Sequence, residues 1–300
     1  MSVRLFAAAS AALFALSGCA ATSTAADPGE RYYVSVGDSY AAGYKPTGAD
    51  GGGTSTDGFA YRVAEQTVAH GLPMRLANFG CSGVSTAQLR TEPGCAPTAL
   101  APGAPDYGGL SQARAAVRFL SENRGRVGLV TVVVGGNDVR PCLPIGAAPR
   151  PDAINCVTAS VDRLRTDLAA VLADLRAAAG PDVPIVGVSY PDMLLGYWVT
   201  AGAPGRDVAA ASVGVFRDLV NPVLRAEYAK VGAEFVDVTE AAQGYVPLTQ
   251  TTSVPGYGTV PTAVAAACLY TYFCRYGDVH PTADGHRLIA EHVVRAAHIA

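Results

Sequence analysis

Charge is scarce in this chain: Asp, Glu, Lys and Arg make up 16% of its 300 residues, and 22 basic side chains stand against 25 acidic ones. No run of lysines or arginines occurs, so the basic face that nucleic-acid binding needs is missing. Low charge combined with an apolar half (50%) also excludes intrinsic disorder, which requires the opposite balance. Metal-binding cysteine patterns are absent too. No Cys-x-x-Cys occurs and no histidine lies near a cysteine, so no metal is expected. Neither a Walker glycine loop nor a dinucleotide glycine fingerprint follows a strand-like segment, which leaves no cofactor to expect. Internal repeats and a second-domain linker are likewise missing.

What is present begins with an address. Arg4 precedes residues 5–16 (LFAAASAALFAL), an apolar run broken only by Ser10. A membrane-spanning helix takes about 20 residues, so this run has the length of a signal-peptide core instead. It ends in Leu16-Ser17-Gly18-Cys19, which resembles a bacterial lipobox. The resemblance implies a signal peptide over 1–18, lipidation of Cys19 and a flexible tether over 19–30, with attachment to the membrane through the lipid. Cleavage after Ala21 or Ala26 is the alternative; either route exports the protein, to the outer face of the cell membrane or into the medium. The chain holds 7 cysteines. With Cys19 set aside, the other cysteines fall into close pairs: Cys81 with Cys95, Cys142 with Cys156, and Cys268 with Cys274. Sequence alone leaves about 15 connectivities open. Nearest-neighbour pairing is the simplest, and an exported chain permits it.

Residues 31–300 read as a single domain. Apolar runs at 32–36, 74–79, 129–134, 184–188 and 234–238 have the character of buried strands. Helical patterns lie between them at 59–70, 109–123, 159–179 and 209–231, with a last helix over 282–299. Leu164, Leu168, Val171, Leu172 and Leu175 recur at helical spacing and mark one apolar stripe. Strands alternating with helices predict an α/β fold: a doubly wound, flavodoxin-like parallel sheet of about five strands with helices on both faces. Gly/Pro/Thr-rich stretches at 45–58, 92–108, 140–155 and 244–274 read as insertions on that domain.

Ligands of open α/β sheets bind beyond the carboxyl ends of the strands, so the residues there come next. The first strand ends in Gly37-Asp38-Ser39, a tight turn that either exposes a nucleophile or merely caps a helix. The second is followed by Asn78-Phe79-Gly80-Cys81-Ser82-Gly83, and the third by Gly135-Gly136-Asn137-Asp138. Near the C-terminus stands Asp278-Val279-His280-Pro281. Each block alone has a bland reading as a turn, a cap or a surface residue.

Taken together, in this order and spread over the whole exported domain, the four blocks resemble those of the SGNH hydrolases, the GDSL-type esterases and lipases. The cysteine pairs add a likeness to the secreted actinobacterial lipase branch with three disulfides. The resemblance implies an esterase or lipase that hydrolyses acyl esters through an acyl-enzyme on Ser39, with His280 as general base. It implies an oxyanion hole formed by the Ser39 and Gly83 N–H groups and the Asn137 side chain, Gly80 being the poorer match. A monomer acting on a small-molecule or lipid ester is expected. A polysaccharide or cell-wall O-deacetylase is an alternative within the same chemistry; an inactive surface adhesin or lipid-binding relative is one outside it.

One position departs from the family pattern. The triad acid should stand three residues before His280, where this chain has Gly277; Asp278 stands two before. Either Asp278 reaches the imidazole by a local adjustment, or a main-chain carbonyl near Gly277 takes its place, with Asp278 capping the last helix. Other candidates are Asp237, as a second choice of acid or a cap, and residues 193–198, as an acyl-pocket wall or core. His286, His292 and His298 recur every six residues, share no helical face at that spacing, and read as solvated.

Overall fold

The computed structural model describes residues 29–48, 51–145 and 151–299. The signal peptide, Cys19 and the tether as far as residue 28 lie outside the described residues. At the tether's end Glu30 is already held by the Tyr32 hydroxyl, 2.8 Å away.

Strands β1 (Arg31–Gly37), β2 (Met74–Asn78), β3 (Val127–Val133), β4 (Ile185–Val188) and β5 (Glu234–Val236) form one sheet in the order β2-β1-β3-β4-β5. All neighbours run parallel. This is the expected doubly wound fold, and its flavodoxin-like order reverses between β1 and β3. β3 is buried throughout and β1 at every position but Arg31, because both faces of the sheet are covered.

Alternate residues of these strands feed two cores. Val34, Val36, Val130 and Val132 pack with Leu120, Leu168 and Leu224 from helices α2 (Gln112–Glu122), α3 (Ala153–Ala179) and α4 (Asn221–Lys230). Tyr33, Leu129 and Val133 pack on the opposite face with Phe59, Val63, Ile289 and Val293 from α1 (Phe59–Ala69) and α5 (Ala283–Ala296). The predicted stripe of α3, from Leu164 to Leu175, is wholly buried.

The stretch read as one helix over 209–231 begins earlier and is interrupted. A helix over Gly202–Gly214 passes into a π-helical turn at Val215–Val220 before α4 starts. Pro222 in the first turn of α4 has no N–H to donate, so the hydrogen-bond ladder slips there into a wider register. Two of the insertions fold into small hairpins, Tyr44–Pro46 with Gly52–Thr54 and Thr251–Val254 with Gly258–Pro261. The disulfides join nearest neighbours: Cys81–Cys95, Cys142–Cys156 and Cys268–Cys274. The first two close separations of 14 residues, which in the chain-entropy model stabilises the fold by roughly 3 kcal/mol each.

β1 ends at a position only glycine can fill. Gly37 has φ +148°, and a Cβ there would stand 2.0 Å from the Val133 carbonyl oxygen. Its N–H and C=O are both held by the Gln112 side chain, at 3.0 and 2.9 Å. Gly37→Ala is therefore expected to lower stability by roughly 3 kcal/mol or more, read as a lower urea midpoint. An unchanged midpoint would show that the turn tolerates a side chain.

Candidate active site

The sharp turn after Gly37 sends the chain straight into the one-turn helix Ser39–Ala42. Asp38 caps it by accepting the Tyr40 N–H at 3.0 Å, which leaves Ser39 at the carboxyl edge of the sheet beside the switch point. The loop after β2 is fixed against this turn by Asn78. Its side-chain N–H donates to the Ala41 carbonyl (2.8 Å) and its oxygen accepts the Gly80 N–H (2.9 Å). Gly80 is thus already committed, and a Cβ on it would strike the Ala41–Ala42 backbone at 2.4 Å. Gly83 stands farther out, in the left-handed region at φ +89°. After β3, the Asn137 side chain donates one amide hydrogen to the Val84 carbonyl at 3.0 Å, leaving its second N–H for another acceptor. Asp138 holds the same two loops together by accepting from the Thr86 N–H (2.9 Å) and hydroxyl (3.0 Å).

Ser39, Gly83, Asn137, Asp278 and His280 all border one cavity of about 290 Å³. Gly80 and Asp237 do not. Asp237 caps a short helix by accepting the Glu240 N–H at 3.0 Å, and it is bonded by Asn221 at 2.8 Å. Of residues 193–198, Met193 lines the cavity, while Leu194 and Leu195 are buried in the core.

The acid two residues before the histidine reaches it. Asp278 Oδ1 lies 2.8 Å from His280 Nδ1 and 2.9 Å from the His280 backbone N–H. Bonding to the N–H two residues on is an Asx turn, which folds the carboxylate back onto the ring. Gly277, in the left-handed conformation (φ +66°), starts that fold. Burial would raise the pKa of Asp278, but the hydrogen bond and charge of His280 outweigh it and hold the carboxyl below its usual range. With Nδ1–H donated to this carboxylate, the imidazole presents the lone pair of Nε2.

Several residues that support this arrangement left no mark in the sequence reading. The Tyr40 hydroxyl donates to the Val279 carbonyl at 2.7 Å, tying the Ser39 turn to the His280 loop. Tyr190 donates to Asp38 Oδ2 at 2.5 Å; burial pushes that carboxyl up to about 6 against the lowering effect of the tyrosine bond. The Tyr44 ring packs on His280 at 4.3 Å between centroids.

His286 corrects the reading of the last helix. It is buried, not solvated, and its Nδ1 accepts the Phe59 N–H at 3.2 Å. Burial above all, with the charges of His280 and Arg62, pushes its pKa down to about 3. The unfolded chain protonates this residue near pH 6.5, the folded one near 3, so acid favours unfolding across that window. His286 is expected to cost ~1.4 kcal/mol of stability for each pH unit lost there. Asp38 and Asp192, whose buried carboxyls are raised to about 6 and about 7, act in the opposite direction. Comparison with His286→Asn isolates the histidine: the variant's Tm should fall less between pH 6.5 and 4 than the native protein's. Parallel curves would assign the acid sensitivity elsewhere.

The chain's relationships agree with this geometry. No curated protein sequence matches it. Among solved structures it resembles an extracellular lipase from Streptomyces rimosus, with 19% identity, a TM-score of 0.52, and 89% of this chain and 99% of that one covered. An acetylxylan esterase from Geobacillus stearothermophilus also matches, with 16% identity and a TM-score of 0.47 over 89% and 94% of the two chains. Residues 35–288 match the model of the GDSL-like lipase/acylhydrolase family. That match runs from β1 into the last helix; the chain belongs to this family and is a carboxylic ester hydrolase.

Proposed function

We propose that this protein hydrolyses acyl esters through a covalent acyl-enzyme on Ser39. The observation that carries the reading is the convergence of Ser39, Gly83, Asn137 and the Asp278–His280 pair on one cavity at the carboxyl edge of the sheet. His280 Nε2 takes the Ser39 proton as Oγ bonds to the ester carbon. The carbonyl oxygen becomes an oxyanion, which the Ser39 and Gly83 N–H groups and the free Asn137 N–H receive. On collapse the C–O bond to the alcohol breaks, and His280 passes its proton to the departing oxygen. Water, deprotonated by His280, then attacks the acyl-enzyme and releases the carboxylic acid. Every group in this sequence comes from one chain, and none of the steps requires a cofactor.

A fluorophosphonate probe with p-nitrophenyl esters tests the proposal. The probe should add to the peptide containing Ser39, and ester hydrolysis should cease in step. Labelling elsewhere, or hydrolysis unaffected by labelling, would overturn it. Asn137→Ala is expected to lower kcat by 10² to 10³ with little change in KM, as loss of one oxyanion donor does. A loss confined to KM would place Asn137 in substrate binding instead.

The same reading carries an export route. Three disulfides suit an oxidising compartment, and the similar Streptomyces protein is extracellular. Lipidation at Cys19 predicts that radiolabelled palmitate enters the native protein and not Cys19→Ala. No label in either would favour cleavage at Ala21 or Ala26, and equal labelling of both would place the lipid at another residue.

A further inference from the structure

The cavity has two chemically different ends, and they lie over opposite faces of the sheet. His280 and Asp278 enter from the face covered by α1 and α5, just ahead of the latter helix. Leu164 on α3, Leu224 on α4 and Val220 from the π-helical turn enter from the other face, where they belong to the core packed on Val34, Val36, Val130 and Val132. The two ends meet at the carboxyl edge, at Ser39 and the Gly135–Asn137 turn. Gly135 is where the apolar end touches the turn: a Cβ built there would stand 2.5 Å from a Leu164 methyl and 3.8 Å from a Leu224 methyl.

We infer that the end lined by Leu164, Val220 and Leu224 receives the acyl chain of the ester, not its alcohol, and sets how long that chain can be. This rests on the acyl-enzyme reading above, from which the direction follows. In the tetrahedral intermediate the former carbonyl carbon bears Ser39 Oγ, the oxyanion, the alcohol oxygen and the acyl chain. The oxyanion faces Gly83 and Asn137. The alcohol oxygen must face His280, because the proton that lets it leave comes from Nε2. The acyl chain takes the remaining direction, across the sheet edge and away from His280. There it meets three apolar side chains, each nine-tenths or more buried.

Two ester series test the inference: p-nitrophenyl esters of lengthening acids, and acetate esters of lengthening alcohols. Val220→Phe, which fills the apolar end, should lower the kcat/KM of the octanoate relative to p-nitrophenyl acetate about tenfold or more, while the relative rates along the alcohol series keep their native order. Leu224→Ala should move the optimum to longer acids. A loss along the alcohol series in Val220→Phe would overturn the inference, and so would an acyl-length profile that neither variant shifts. Labelling of Ser39 by the short fluorophosphonate separates failure of this inference from failure of the acyl-enzyme itself. A labelled, active enzyme with unmoved chain-length profiles refutes only the chain assignment.

Discussion

Replacing Ser39 by alanine is expected to lower kcat for ester hydrolysis by about 10⁶, with the fold and all disulfides intact. Ser39 contributes a single oxygen at the cavity wall, is 7% exposed, and heads a helix whose cap is Asp38. Removing that oxygen therefore leaves the scaffold unchanged. The acyl-enzyme route is lost, and only oxyanion stabilisation and binding remain to act on a direct attack by water. A second consequence distinguishes this machinery from a collection of helpful groups. In the proposed reaction His280 acts on Ser39 and on water aimed at the acyl group that Ser39 carries, so Ser39→Ala combined with His280→Ala should be little slower than either single variant. The check is single-turnover hydrolysis of one p-nitrophenyl ester by the three variants. Losses that multiply would mean that the two side chains act independently, and the unit assigned to them would dissolve.

How much of this was legible beforehand depends on whether the determining contacts are local. The strands could be read because both faces of the sheet are covered, so each strand is an unbroken apolar run such as 129–134. Ser39, Asn137 and His280 could be picked out as candidates that border one cavity because each follows directly on a turn whose glycine or acid neighbour is adjacent in sequence. The tyrosines could not. Tyr190 is 152 residues from the Asp38 it bonds and Tyr40 is 239 from the Val279 carbonyl, and nothing local distinguishes them from other aromatic residues of a core. His286 is different, since its signal was present and obscured by the wrong period. Counted against His292 and His298 it shares no face; counted against Ile289, Ala290 and Val293 it lies three, four and seven residues away, on the buried stripe of α5. Asp278 failed the family's spacing, yet the rule that an aspartate accepts from the N–H two residues on already contained the geometry that brings it to His280.

That geometry makes the largest remaining demand on experiment. In the native protein Asp278 accepts two hydrogen bonds from His280, one from the ring and one from the backbone, and is held ionised. The ring bond fixes the tautomer that leaves Nε2 free, and in the proposed reaction the charge stabilises the imidazolium that forms when Ser39 gives up its proton. Asp278→Ala removes both effects together with the Asx turn, and kcat should fall by about 10⁴. Asp278→Asn separates the turn from the chemistry. Its amide oxygen can still accept from the backbone N–H and keep the turn, but the charge is gone and the amide NH2 can donate to Nδ1 and select the wrong tautomer. Its kcat should therefore also fall by about 10⁴, with the loop's stability retained. The competing arrangement, in which a main-chain carbonyl near Gly277 orients the imidazole, makes the opposite demand. Asp278→Ala would then retain most of the native rate, because a backbone acceptor survives the substitution and Asp278 would be no more than a cap. Steady-state kinetics of the two variants decide between these arrangements, and urea unfolding curves for both show whether any loss reflects the chemistry or the folded state of the loop.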